Sequence, residues 1–337
     1  MSNTSVARPA DSTAFKRRHS HTLLHVLMFV ATFFWASNII AGKEALRGFS
    51  PMALAQLRVS GAAVIYWSVL IGARPGRALR AGLRHWKMVV LLALNGATLN
   101  QLFFIGGLAR TSVAHTALIV ALGPVIVLVL SCLMRLELLT VLKFAGMLVS
   151  FAGVGVLTAG KSSDGSHWIG DLIVLGGTAV FAYYTILMKE TGEQFDVLTV
   201  NALTFGLGAL LMLPVSTTSL LAARWRGLPA EAWWGLAFMI VFGTVIPYVL
   251  FAIALSGLSP SRVAAFNYLQ PVIATSLGIW LLSERLTTAA VVGGSLILLG
   301  VYLTERERGE DKEPERLTSS SQGNCAVAAS DTHEPIK

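Results

Sequence analysis

Arg58 stands about two turns into an apolar run that begins at Pro51, where an arginine at the bilayer centre costs about 2.5–3.5 kcal/mol on insertion scales. Two roles answer that cost. The side chain either snorkels to the near interface or bonds the carbonyls of a broken helix, or it faces a water-filled cavity as a fixed cation for an anionic substrate group or a gate. Trp35 and Asn38 lie one turn apart on one face of an earlier run. They offer a ring face and an amide to a bound metabolite, or else serve packing and interhelical hydrogen bonding. Gln56 and Asn95 are further amides at apolar depth, as are the adjacent Asn100 and Gln101, which point in different directions and are not expected to face one cavity together. A later stretch supplies Tyr183 and Tyr184, and another supplies Asn267, Tyr268 and Gln270 just before Pro271. His115 opens its run and is either interfacial or proton-responsive. No Asp or Glu is expected at mid-depth, which weakens a buried-carboxylate proton relay. The sequence holds no HExxH, no His/Asp/Glu cluster, no GxSxG and no Walker loop, so no catalytic, metal or cofactor site is expected.

The elements that position these side chains follow from composition. Hydrophobic residues make up 54% of the chain and charged ones 13%, where a soluble domain carries roughly 25% charged. Ten apolar stretches of spanning length need lipid as their solvent. They read as 23–42, 51–71, 87–108, 112–134, 141–159, 169–188, 197–217, 232–254, 259–282 and 287–304. The expected fold class is an all-α polytopic membrane protein. The net charge of +8 sits at span ends without an aromatic-interleaved patch, so the expected partners are the bilayer and a small-molecule substrate, with no nucleic acid. Lys16, Arg17 and Arg18 precede span 1, and Arg74, Arg77, Arg80, Arg84 and Lys87 lie between spans 2 and 3. The positive-inside rule makes both regions cytoplasmic, and an even number of spans returns the C-terminus there, in the cell's inner (plasma) membrane. Cys132 and Cys325 suggest no disulfide framework.

The chain is also duplicated. Residues 108–157 and 255–304 share 14 of 50 residues at a fixed offset of 147. Pro124-Val125-Ile126 matches Pro271-Val272-Ile273, Glu137-x-Leu139-Thr140 matches Glu284-x-Leu286-Thr287, and Gly146 and Gly153 match Gly293 and Gly300. Upstream the offset slips by one residue: Lys43-Glu44 meets Lys189-Glu190, and Tyr183-Tyr184 align with Ser37-Asn38. Five spans per copy is an odd number, so the second copy inserts upside down. The expected units are a polar segment 1–22, a first five-helix repeat 23–159, an inverted second repeat 169–304 and a disordered tail 305–337. Pro124 and Pro271 break helices at corresponding depths, which marks a midplane binding and gating site or a pair of packing kinks. The Glu-x-Leu-Thr pairs read as hairpin devices. The glycines of spans 5 and 10 serve contact within the bundle or at a homodimer face.

Phe34-Trp35-Ala36-Ser37-Asn38, then Phe49-Ser50-Pro51 and Arg58, followed in each half by Pro-Val-Ile, Glu-x-Leu-Thr and a Gly-rich final span, resembles an EamA-type repeat. Residues 23–304 resemble a ten-span EamA transporter of the drug/metabolite transporter superfamily. The resemblance implies two inverted five-helix repeats, export of small metabolites or drugs, and a cavity lined mainly by spans 1, 3, 4, 6, 8 and 9. It places Trp35, Asn38, Gln101, Tyr183, Tyr184, Asn267 and Gln270 at that cavity. Arg58 departs from the repeat, its counterpart being Thr204. Amino acids or related compounds suit the amides, tyrosines and arginine. Multidrug efflux and a membrane-embedded enzyme acting on a lipid-linked substrate are the alternatives, with Lys43-Glu44 and Lys189-Glu190 poor candidates for the enzyme's catalytic groups.

Overall fold

The computed structural model describes residues 20–73, 75–134, 140–159, 168–191, 194–223, 225–258, 260–282 and 287–306, and all regular structure among them is helical. Lipid cannot satisfy a backbone amide, so each apolar run closes its own hydrogen bonds as a helix. The first half comprises α1 (His21–Ala45), α2 (Pro51–Ala73), α3 (Pro75–Arg84), α4 (Trp86–Leu92), α5 (Asn100–Leu108), α6 (Val113–Val120), α7 (Gly123–Leu133) and α8 (Val141–Ala159). The second comprises α9 (Trp168–Glu190), α10 (Val197–Leu221), α11 (Ala230–Ile240), α12 (Ile246–Gly257), α13 (Pro260–Ala265), α14 (Leu269–Leu282) and α15 (Thr288–Arg306). Seven helical segments among the described residues are long and apolar enough to cross a membrane, and shorter apolar stretches occupy Phe144–Gly153 and Val291–Gly300. Glu137, Leu139, Glu284, Leu286, Cys325 and residues 307–337 lie outside the described residues.

Local chemistry sets the helix starts. Pro51, Pro75 and Pro260 open helices where a missing N–H costs nothing. Ser112 caps α6 by accepting from the His115 amide at 3.1 Å, and Asp196 caps α10 by accepting from the Thr199 amide at 2.9 Å. Much of the basic stretch between spans 2 and 3 folds into α3. Its arginines stand among Leu and Ala at helical spacing, an amphipathic pattern that suits an interface.

Pro124 and Pro271 each lie in the first turn of a helix that follows an interruption. α6 stops at Val120 and α7 starts at Gly123, while α13 gives way to a 3₁₀ turn, Phe266–Tyr268, before α14. A second pair of irregularities was not legible in the sequence. π-helical segments Ala93–Leu99 and Val241–Val245 interrupt spans 3 and 8, and their central glycines, Gly96 and Gly243, are 147 residues apart.

The two halves interlock. α1 packs against α11, α12 and α14 of the second half, and α9 packs against α5, α6 and α7 of the first. α2 lies along α10, and α8 along α15. The last contact uses the repeat glycines: a Cβ on Gly153 would stand 2.7 Å from both Gly293 O and Ile297 N, and one on Gly300 would overlap Gly146 O and Ser150 N. The glycine faces of spans 5 and 10 therefore meet each other within the chain, backbone to backbone.

Candidate functional site

The interlocked helices leave a cavity of about 830 Å³ of atom-free space, its mouth included, lined by residues of both halves. Trp35 and Asn38 from α1, Arg58 from α2, Gln101 from α5, Asn267 from the 3₁₀ turn and Gln270 from α14 all line it. Six of the eight side chains proposed from sequence as substrate-binding thus share one wall, although they come from both repeats. Pro124 and Pro271 stand next to the lining residues Gly123 and Gln270, so each break exposes backbone and small side chains at the cavity.

Two expected positions move. Tyr184 lies behind the wall, fully buried, with its ring 6.2 Å from Phe251 and nearly parallel to it. It fills the space that Gly96 leaves, since a Cβ there would come 2.6 Å from Tyr184 Cδ2. Tyr183, one residue earlier, is turned about 100° away around α9 and does not line the cavity. A third expectation fails outright. Asn100 and Gln101 both line the cavity, and both side-chain amides donate to Tyr248 Oη, at 3.1 and 3.2 Å. Neighbouring helical side chains converge because the phenol between them is large enough to reach both.

Arg58 bonds the backbone of an interrupted helix and also lines the cavity. Its Nε donates to Thr244 Oγ1 at 2.7 Å and its Nη2 to Gly243 O at 3.0 Å, both in the π segment of span 8. The same segment accepts from Tyr66 Oη at Val245 O, 2.9 Å. A π turn shifts the backbone ladder and frees carbonyls for such donors. The guanidinium sits over the Phe104 ring at 5.7 Å. Its remaining nitrogen, Nη1, is buried with no partner among the described residues, as are Asn38 Oδ1 and Gln101 Oε1. Three buried polar atoms of cavity-lining residues thus have unfilled hydrogen-bonding capacity, which in an apolar interior is costly until something fills it.

Aromatic rings form a second part of the lining, among small and aliphatic side chains. Trp35 meets Phe181 edge-on at 5.7 Å, Tyr248 at 5.9 Å and Phe251 at 5.6 Å. The sequence reading missed Phe104, Phe181, Tyr248 and Phe251, yet the repeat contained the signal. Trp35 and Phe181 are 146 residues apart, and Gln101/Tyr248 and Phe104/Phe251 are each 147 apart. Carrying each candidate to its counterpart would have found all but Phe104/Phe251. The cavity is thus built partly from matched positions: Trp35/Phe181 and Phe104/Phe251 are aromatic in both copies, whereas the amide of Gln101 meets the phenol of its counterpart Tyr248.

Sequence comparison agrees with this two-copy architecture. The model of the EamA-like transporter family matches residues 22–159 and again 168–306. Similar proteins include an uncharacterized transporter of Archaeoglobus fulgidus, 26% identical over 84% of this chain and 99% of that protein. A WAT1-related chloroplastic protein of Arabidopsis thaliana is 25% identical over 83% of this chain and 68% of its own length. The S-adenosylmethionine/S-adenosylhomocysteine transporter of Chlamydia trachomatis is 24% identical over 83% of this chain and 88% of its own length. A protein of solved crystal structure shares the fold, with a TM-score of 0.61 at 17% identity over 85% of this chain and 98% of that one. With both halves matched and most of its length apolar helix, the chain belongs to the EamA-like transporter family and is a multi-pass membrane transporter.

Proposed function

We propose that this transporter exports a small amphipathic metabolite bearing a carboxylate, an amino acid or a related compound, by alternating access around the central cavity. The observation that carries this reading is Arg58: two nitrogens fixed on span 8 and a third, Nη1, buried at the cavity wall without a partner. A preoriented guanidinium is suited to a carboxylate, which gains a charge-assisted hydrogen bond without the cost of ordering the arginine. Asn38 Oδ1 and Gln101 Oε1 are acceptors suited to an ammonium group. The rings of Trp35, Phe104, Phe181 and Phe251 offer faces and edges to an apolar or aromatic portion. The Chlamydia relative is named for solutes that are amino acids joined to a purine, and this combination has the same three chemical parts.

In this reading the chain sits in the cell's inner membrane with ten spans, two inverted repeats and both termini cytoplasmic. The repeats rock about the π segments and the Pro124 and Pro271 breaks, where the helix ladder is already interrupted. The aromatic wall favours multidrug efflux as a second reading. A fixed positive charge repels the lipophilic cations typical of drug substrates, and that weighs against it. Thermal stabilisation of the purified protein separates the two. A panel of amino acids is expected to raise the melting temperature where lipophilic cations do not, and stabilisation by the cations alone would sink the metabolite reading.

A further inference from the structure

A second polar cluster lies one turn beyond the cavity wall. Asp171, in the first turn of α9, is 1% exposed although it stands in an apolar helix. It accepts from Thr111 Oγ1 at 2.5 Å and pairs with His115 Nδ1 at 3.0 Å. Val174, the next turn of α9, lines the cavity, as does Val120 at the far end of the helix that carries His115. Lys43, in the last turn of α1, donates to the carbonyl of Thr111. The cluster therefore ties α1, the start of α6 and the start of α9 together at one end of the cavity.

The other end carries half of the same device. Lys189 donates to Leu255 O at 2.7 Å and to Leu258 O at 3.0 Å. Lys189 is the repeat counterpart of Lys43, and Leu258 that of Thr111. The lysine-on-carbonyl latch is symmetrical, whereas the acid–imidazole pair is not: the positions matching His115 and Asp171 are Arg262 and His25, the latter an exposed imidazole bonded within its own helix to His21 O. A duplicated fold that places a buried acid and imidazole at one gate only has given that gate a chemistry the other lacks.

We propose that His115 and Asp171 form a proton-binding site that couples transport to a proton gradient, with protons entering as solute leaves. This rests on the transporter reading but on none of the residues of the solute cavity. With Asp171 ionised and His115 neutral, the carboxylate accepts from Thr111 and from the imidazole N–H and holds the gate shut. One proton from the adjoining aqueous phase adds to the pair, forming one N–H or O–H bond and changing its charge from −1 to 0. Carried on Asp171, that proton turns a charged acceptor into a neutral carboxyl and replaces charge-assisted hydrogen bonds from Thr111 and His115 with weaker ones, so the contact to the 109–115 segment loosens. The proton leaves to the opposite aqueous phase when the pair returns to its first state. Among the described residues, the other charged groups near the pair are Lys43, which donates to the carbonyl of Thr111, and Arg110, whose Nη1 donates to Gly106 O at 2.6 Å. Both are basic, and histidine is the side-chain type that ordinarily changes charge near neutral pH. α14, also packed on α6, brings no charged side chain within Leu269–Leu282.

The first test needs no solute. Hydrogen exchange of the full chain in lipid nanodiscs is followed from about pH 8 to about pH 5.5 and corrected for the intrinsic rate, over the range where histidine titrates. Exchange at 105–118 and 168–176 is expected to rise about tenfold, the equivalent of 1.4 kcal/mol. His115→Gln and Asp171→Asn should each abolish that dependence, and His85→Gln should keep it. Dependence that survives both cluster variants, or is absent from the native chain, overturns the proposal. In proteoliposomes with labelled L-phenylalanine, a gradient of one pH unit should concentrate it about tenfold on the acidic side, for one proton per solute. Asp171→Asn should equilibrate it without accumulation. Native flux that ignores the gradient also overturns the proposal. Absence of any phenylalanine flux tells against the solute reading instead, and the exchange result alone then decides the proton site.

Discussion

Replacing Arg58 by Met separates its structural role from its role at the cavity. The substitution removes the donors to Thr244 Oγ1 and Gly243 O and keeps much of the side-chain volume. Each orphaned buried acceptor costs about 1–3 kcal/mol. Removing a guanidinium from bilayer depth returns about 2.5–3.5 kcal/mol on insertion scales. These effects oppose one another, so R58M should remain folded, with a stability within about 3 kcal/mol of the native chain. Binding is different, because nothing offsets the lost contact. A hydrogen bond to a charged group is worth about 1.5–3 kcal/mol, which corresponds to about a 10- to 150-fold loss of affinity for a carboxylate. The assay is a cycle of protein against ligand: titration calorimetry of native and R58M protein with L-phenylalanine and with L-phenylalaninamide. The native protein should prefer the acid by that factor, and R58M should bind the two alike. An R58M protein that is folded and still prefers the acid would refute the assignment of Arg58 to the carboxylate, and Arg58 would then be a structural clasp on span 8.

Other expected outcomes follow from single contacts. Gly300→Ala should lower the melting temperature in detergent by the equivalent of about 1–3 kcal/mol, because a Cβ there meets the backbone of Gly146 and Ser150. Gly96→Ala, placed against the rigid Tyr184 ring, should destabilise more than Gly243→Ala, which meets only the movable Asn38 amide; equal losses in thermal denaturation would contradict that reading. Tyr248→Phe leaves the amides of Asn100 and Gln101 without their shared acceptor, and should cost about 1–3 kcal/mol in chemical unfolding unless a bound solute replaces it. A fluorescent protein fused to Lys337 should fluoresce and alkaline phosphatase fused there should stay inactive, in keeping with a cytoplasmic C-terminus; the reverse pattern would invert the topology.

The sequence exposed those features that lipid makes expensive. Arg58 and the prolines stand out because bilayer depth charges heavily for an ion or a missing N–H, so each one retained has a task in the structure. The duplication was visible at Pro124/Pro271 and Gly153/Gly300 because helix breaks and backbone-to-backbone contacts restrict residue type strongly. The π segments were invisible, since a one-residue shift in the hydrogen-bond ladder needs no special side chain. Asp171 was overlooked for a different reason. Three residues into its span it resembles an interfacial carboxylate, and its burial is created by Thr111 and His115, about sixty residues away in sequence. The convergence of Asn100 and Gln101 on Tyr248 is likewise a tertiary fact, which helix periodicity alone describes wrongly.

The central claim is that a carboxylate-bearing metabolite leaves the cell through this cavity. Untargeted analysis of the culture medium tests it most directly, comparing cells that express the native chain, R58M at equal membrane abundance, and empty vector. Amino acids or closely related compounds should accumulate outside only with the native chain. Three identical media, or one new profile shared by native chain and R58M, would contradict it.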